Sequence, residues 1–219
     1  MTSTPEPGSS DRTRIRRLPE RAVTESASLR AVLDSGLVAH VSVDDDEGQP
    51  YVVPVAYARW DDDVIFHGST ASRLFRVLAA GQPTCLTVTR LDGLVLARSA
   101  FESSMNYRSV MVLGHCRVLE GDDKSEALRR ISDHLLPGRW DDIRPPSTKE
   151  LAATLVVALS LAECSVKIRS GGPEDPAEDL IVPVWAGQIP IIESFGEAIA
   201  ADAIAERFPI PDYVSSWTR

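Results

Sequence analysis

Cysteine is scarce in this chain. Cys85, Cys116 and Cys164 are the only three, and none forms a C-x-x-C pair. That leaves neither a disulfide framework nor a zinc knuckle, and points to reduced thiols in a cytoplasmic protein. Long apolar runs are missing too. None approaches the ~18–20 residues that cross a bilayer, and residues 1–10, polar with Pro5 and Pro7, lack the apolar stretch of a secretory signal. Positive charge is outnumbered, with 23 Lys and Arg against 32 Asp and Glu and a net charge of −9. This argues against nucleic-acid partners and against docking on anionic membranes. G-x-S-x-G, Walker A and G-x-G-x-x-G patterns are absent. The four histidines, His40, His67, His115 and His134, stand at no metal-ligand spacing from one another, from a cysteine or from a carboxylate cluster. The acidic runs 44–46 and 61–63 read as solvated turns.

What remains, at 43% hydrophobic, is the composition of an ordinary globular chain. Alternating apolar residues predict strands over 37–43 (Leu37, Ala39, Val41 and Val43 on one face), 51–59, 64–67, 84–90, 94–99 and 161–169. Leu91-Asp92-Gly93 reads as a hairpin turn between the fourth and fifth of these. Residues 107–119 form a strand apolar on both faces, which belongs at the centre of a barrel or under a partner. Pro54 cannot donate to a ladder, so its strand lies at an edge, at a bulge or open toward a ligand. Helices are expected over 25–34, 71–80, 122–136 and 197–208, and one opened by the Ser147/Glu150 capping box running to about residue 159. Residues 181–192, with Trp185, read as extended. About seven strands with irregularly inserted helices disfavour a doubly wound sheet. The expected class is α+β, mainly β: an antiparallel barrel with peripheral helices.

Two places could carry chemistry. At Phe66–Arg73 a strand runs into a helix through Gly68, Ser69, Thr70 and Ser72. Backbone N–H groups, hydroxyls and the Arg73 guanidinium there suit a phosphate, and an ordinary N-cap beside a surface arginine explains the pattern equally well. At the start of the long strand, Asn106, the chain's one asparagine, is followed by Tyr107, Arg108 and Ser109. This polar run is either a strand end in solvent or a ligand contact in the barrel mouth. His67 is the one histidine inside a candidate site. The cluster Arg12, Arg14, Arg16 and Arg17 reads as a solvated arm, or as a strap for acidic surface on a neighbouring subunit or an anionic ligand.

Five short motifs in order, R-x-P-E-R from Arg17, P-V-A-Y from Pro54, F-H-G-S-x-x-S-R from Phe66, N-Y-R-S-V-x-V-x-G from Asn106 and W-A-G-x-I-P from Trp185, resemble the FMN-binding split-barrel proteins of the pyridoxamine 5′-phosphate oxidase-like superfamily. The resemblance is narrower to the flavin-nucleotide-binding branch that includes nitroimidazole-resistance proteins. It implies a split β-barrel over residues 16–208, a disordered arm over 1–15, a tail over 209–219, and a homodimer holding FMN between its subunits. By position, Ser72 and Arg73 resemble the pair that grips the FMN phosphate, and His67, Gly68 and Ser69 the wall of the phosphate and ribityl chain. Ser109 would face the flavin, with Asn106, Tyr107 and Arg108 in the same motif. Trp185 would pack near the ring edge from the other subunit, and Val53, Pro54 and Val55 would pass beneath the ring. Trp185 is not followed by the Arg-x-His element of the vitamin B6 phosphate oxidases, so the resemblance does not extend to that activity. It implies an FMN-dependent oxidoreductase acting on a small molecule, such as a nitro compound, with NADH or NADPH as a donor. The alternatives are a non-enzymatic binder (a flavin store or sensor, or a holder of haem or F420) and a cofactor-free dimeric module.

Overall fold

The structure, a computed structural model, describes residues 6–202 and 205–217. Its strands are β1 (Ala22–Val23), β2 (Val38–Asp44), β3 (Pro50–Trp60), β4 (Asp63–Ser69), β5 (Pro83–Leu96), β6 (Ser104–Val118), β7 (Thr154–Ser160), β8 (Cys164–Arg169) and β9 (Gly187–Pro190). The helices are α1 (Ser26–Ser35), α2 (Arg73–Ala79), α3 (Gly121–Leu135), α4 (Arg139–Asp142), α5 (Thr148–Ala152) and α6 (Asp212–Ser215).

Every strand pair is antiparallel, and the order β2-β3-β4-β7-β6-β5 closes on itself through β5–β2. The long strand β6 makes the closure possible. Along one side it pairs with β5 from Ser104 to His115. On the other side its first half, Tyr107–Val112, pairs with β8, and its last residues, Cys116–Val118, pair with β7. The barrel is therefore split along β6. The fold is the expected α+β, mainly antiparallel sheet with peripheral helices.

Alternation along the strands sorts side chains into two cores. Val41, Val64, Phe66, Leu86, Val110, Val112 and Leu159 fill the interior, joined by Leu29, Val32 and Leu33 of α1 and Leu74, Phe75 and Leu78 of α2. Each such buried side chain contributes about 1.5–3 kcal/mol. The opposite face of β4 and β7, with Ile65, Val156 and Ala158, packs under Ala127 and Ile131 of α3. A buried polar clasp ties α1 to the barrel: the Tyr57 hydroxyl donates to the Leu33 carbonyl at 2.6 Å. Gly36 lies against it, where a Cβ would stand 2.5 Å from the Tyr57 oxygen. His134 Nε2 donates to the Gly36 carbonyl at 2.7 Å, so that nitrogen carries the proton.

Several local expectations change. Residues 84–99 contain no hairpin: β5 runs straight through, and Asp92 is an extra residue, since Leu91 faces Tyr107 and Gly93 faces Asn106. The Asp-Gly turn signal is a β-bulge, and Gly93 is there because β9 crosses so closely that a Cβ would meet the Ile189 carbonyl at 2.9 Å. The capping box at Ser147 is present, with the Ser147 hydroxyl accepting from Glu150 N–H, but its helix ends at Ala152. The apolar run after it is strand β7, buried on both faces, a pattern that periodicity alone cannot tell from a buried helix. The helix expected over 197–208 is not formed among the described residues. Residues 191–200 are irregular and one 3-10 turn covers Ala205–Arg207. Residues 191–200 are exposed or nearly so, and local propensity alone does not hold a helix there. The expected arm is described from residue 6 onward, residues 1–5 lying outside the described part. Gly8 N–H donates to the Cys164 carbonyl at 2.8 Å, Thr13 is buried, and Arg12 pairs with Glu163 at 3.0 Å.

Tyr57→Phe leaves the Leu33 carbonyl without its donor. It is expected to lower unfolding free energy by about 1–3 kcal/mol in chemical denaturation, with the native spectrum unchanged.

Candidate functional site

The β4–α2 junction is built by the switch from strand to helix at Ser69–Ser72. Thr70 N–H donates to the Ala153 carbonyl (3.0 Å) and Ser72 N–H to the Ser69 carbonyl (2.9 Å). Ser69 Oγ accepts from Ala71 N–H. Ser72 occupies the N-cap position, yet its hydroxyl makes no cap bond. Helix α2 has only seven residues, shorter than the expected 71–80, so side chains rather than a helix dipole supply most of the attraction for an anion. Arg73 lies 4.7 Å over the Tyr51 ring and donates one Nη2–H to Asp45 at 2.8 Å. Its side chain is 57% exposed, leaving the remaining donors toward solvent. The N–H of Gln49, together with Arg73 and the N–H of Glu47, holds the Asp45 carboxyl below its ordinary range. The Tyr51 hydroxyl is buried without a hydrogen-bond partner among the described residues.

The cleft on the Asp45 side of Arg73, about 590 Å³, is lined by Asp44, Asp45, Asp46, Arg73 and Arg76. Three carboxylates face two guanidinium groups there, so it is no general phosphate bowl. Gly68 does not bring backbone toward a ligand. It faces the interior, where a Cβ would stand 2.2 Å from the Phe75 ring.

His67 follows the opposite alternation. Phe66 and Gly68 face the interior, so Ile65 and His67 face outward beneath the helices. His67 lines a cavity of about 420 Å³ with Leu128, Trp140, Ile143, Leu151 and Thr154. Arg73 is not among that cavity's walls. The two residues paired by the resemblance therefore open onto different spaces. One edge of His67 reaches solvent, while burial of the rest of the ring pushes its pKa below the ordinary histidine value.

The run Asn106–Ser109 is largely committed to the fold. Asn106 is 7% exposed, and its Nδ2 donates to the Gly171 carbonyl (3.1 Å) and to Gln188 Oε1 (2.9 Å). Its Oδ1 accepts from Arg169 at 2.6 Å. Arg169, 5% exposed, also donates to the Gly171 and Gly172 carbonyls. The alternation of β8 puts Arg169 on the face opposite Cys164, Val166 and Ile168, and residues 170–172 fold back over it with two carbonyls. Arg108 grips the bulge residue Asp92 with two bonds, 2.9 and 2.7 Å. Tyr107 and Ser109 sit half-buried between β5 and β8.

Of the three explanations for Pro54, the edge is the one found. Residues 50–56 of β3 pair with β2, and β4 joins only from Tyr57 onward. Val53 and Val55 pack on the interior, and Pro54 is exposed at the open edge. Trp185 is 68% exposed, its ring lying against Gly187.

A family model described as pyridoxamine 5′-phosphate oxidase matches residues 25–168. The chain belongs to this family. Two solved structures are similar to the pyridoxamine 5′-phosphate oxidase-like chain over nearly all of its length. The flavocytochrome Anf3 from Azotobacter vinelandii is 40% identical, with 98% of this chain and 99% of that one covered and a TM-score of 0.88. An FAD and haem binding protein from Mycobacterium smegmatis is 37% identical, with 90% and 96% covered and a TM-score of 0.85. A putative 5-nitroimidazole antibiotic resistance protein from Bacteroides thetaiotaomicron shares the fold at 21% identity and a TM-score of 0.57, over 67% and 86%. No curated protein matches the chain significantly.

The thiols take no part in these sites. Burial pushes Cys116 up to about 12 and Cys164 to about 11, and raises Cys85. Protonated thiols are poor nucleophiles, so the folded protein is expected to react slowly with an alkylating reagent at pH 8. Three thiols should become reactive on unfolding, counted by mass spectrometry.

Proposed function

We propose that this member of the pyridoxamine 5′-phosphate oxidase family is a flavin-binding redox protein that holds FMN or FAD against the β4–α2 junction and the open edge of β3, where two copies of the chain meet. One observation carries the reading: two relatives of 40% and 37% identity, matched along nearly the whole chain, are named a flavocytochrome and an FAD and haem binding protein. The residues present fit a flavin phosphate. The Ser72 hydroxyl makes no bond among the described residues, Arg73 has donors to spare, and the Tyr51 hydroxyl beneath it lacks a partner. Bound there, a flavin supplies one- and two-electron transfer. The chain's own part is to hold the phosphate with Arg73 and Ser72 and to offer unpaired backbone groups of Val53–Val55 to the ring.

Exposed apolar side chains on the outside of the barrel support a homodimer: Val38 and Val52 on β2 and β3, Met105 at the start of β6, and Trp185. Three free thiols fit a cytoplasmic location. The Ala186–Ile192 segment after Trp185 carries no arginine or histidine, so pyridoxamine-phosphate oxidation is not part of the proposal. The partner molecule is a small oxidised or reduced compound, with NADH or NADPH as a donor. A non-enzymatic flavin store differs by showing bound flavin without turnover. Haem as a second cofactor is favoured by the names of the same two relatives.

Arg73→Ala removes a charge-assisted contact of about 1.5–3 kcal/mol, so flavin Kd is expected to rise roughly 10- to 150-fold. The check is flavin absorbance retained after dialysis, with circular dichroism as the control for folding. Full retention would overturn the phosphate assignment.

A further inference from the structure

We propose that the cavity at His67 is a haem site in which His67 is the protein's single axial ligand and the opposite iron position is left open to a small exogenous ligand. The inference rests on the second-cofactor reading above and adds where the group binds and how it is ligated.

The position of His67 follows from strand alternation. Its neighbours Phe66 and Gly68 are spent on the interior, which leaves the imidazole on the outer face of β4, opposite Val156 of β7. Helix α3 covers Ile65 on that face. Beyond it, residues of α3, α4 and the segment leading into α5 border an open pocket of about 420 Å³, within the ~300–1,000 Å³ typical of cofactor sites. The walls suit a flat apolar macrocycle: Leu128 from α3, Trp140 and Ile143 from around α4, Pro146, and Leu151 from α5. The imidazole makes no hydrogen bond among the described residues, so a ring nitrogen is free to ligate a metal. The two hydroxyls in the lining, Ser132 and Thr154, are the polar groups placed to take the other ring N–H.

Charge sits at the rim. Arg144 is exposed and held by Glu150 through two bonds, 2.8 and 2.6 Å, with a third to the Pro145 carbonyl at 3.2 Å. A guanidinium has five N–H donors, so Arg144 keeps capacity for a propionate. Glu150 is itself fixed by the Ser147 capping box, which holds the pair in place. Among the described residues, the cavity lining contains no second histidine and no methionine, cysteine or lysine. One axial position is thus supplied by the chain and the other is not.

The full-length protein, as expressed and after titration with hemin, tests this. Expected are about one haem per chain by the pyridine haemochrome assay, a high-spin ferric spectrum, and a shift of the Soret band when the dithionite-reduced protein meets carbon monoxide. In His67→Ala, haem affinity should fall by more than the ~10–100-fold that loss of a supporting partner costs at a metal site. Flavin content and circular dichroism should stay as in the parent, and added imidazole should restore the Soret band. Arg144→Ala should weaken haem binding more modestly without changing the spin state. A His67→Ala protein that keeps haem with an unaltered spectrum overturns the site, and a parent that takes up no hemin overturns it as well. A low-spin spectrum unresponsive to carbon monoxide overturns the open position. Flavin bound without haem sinks this inference alone, and haem bound without flavin sinks the flavin reading alone.

Discussion

Everything in this fold leans on the double pairing of one strand. β6 is hydrogen-bonded to β5 along one side, and on the other side changes partner from β8 to β7. A sheet of this size otherwise leaves two long edges unpaired, and unpaired backbone groups invite aggregation. The change of partner closes six strands into a ring and leaves β1, β8 and β9 as outer layers. Where β8 leaves the ring, the loop after it turns back over the start of β6 and bonds to Asn106.

That turn explains a cluster of polar residues that would be costly if left unpaired. Asn106 and Arg169 are buried, and they bond to one another, to Gln188 and to the carbonyls of Gly171 and Gly172. Hydrogen bonds from both Arg169 Nη atoms offset the cost of burying its charge, although its Nε has no partner among the described residues. The same region holds the Asp92–Arg108 pair, where a bulge turns a carboxylate outward to meet a guanidinium on the neighbouring strand. The polar motif at the start of β6 therefore builds the fold before it touches any ligand. At the β4–α2 junction and on the outer face of β4, Ser72, Arg73, Tyr51 and His67 keep unspent bonding capacity among the described residues.

Period-two alternation made much of the barrel legible. Ala39, Val41 and Val43 face inward as their spacing indicates, and the capping box at Ser147 starts a helix where it should. Local signals misled where they had two structural meanings. Leu91-Asp92-Gly93 suits a turn and also a bulge, and long-range pairing with β6 decides between them. Leu155–Leu159 suits a buried helix and also a buried strand, and the closing of the ring decides that. Residues 197–208 have helix-forming composition, but the described residues of this stretch are mostly exposed, and propensity alone gives a short helix too little to form.

The candidate site divides in the same way. Residue order alone marked the β4–α2 junction, the Arg73 guanidinium and the family, because these depend on residue type and short spacing, while the choice among an edge, a bulge and an open position for Pro54 waited on strand pairing. The sequence also determined that His67 and Ser69 share a strand face while Gly68 takes the other, since a strand alternates. What it did not contain is what lies over each face. Helices α3, α4 and α5, fifty and more residues later in the chain, border the pocket at His67, whereas Arg73 lines a different one. Only tertiary structure decided that one short motif borders two separate cavities, because a cavity's walls come from packing between distant segments, which no local pattern encodes.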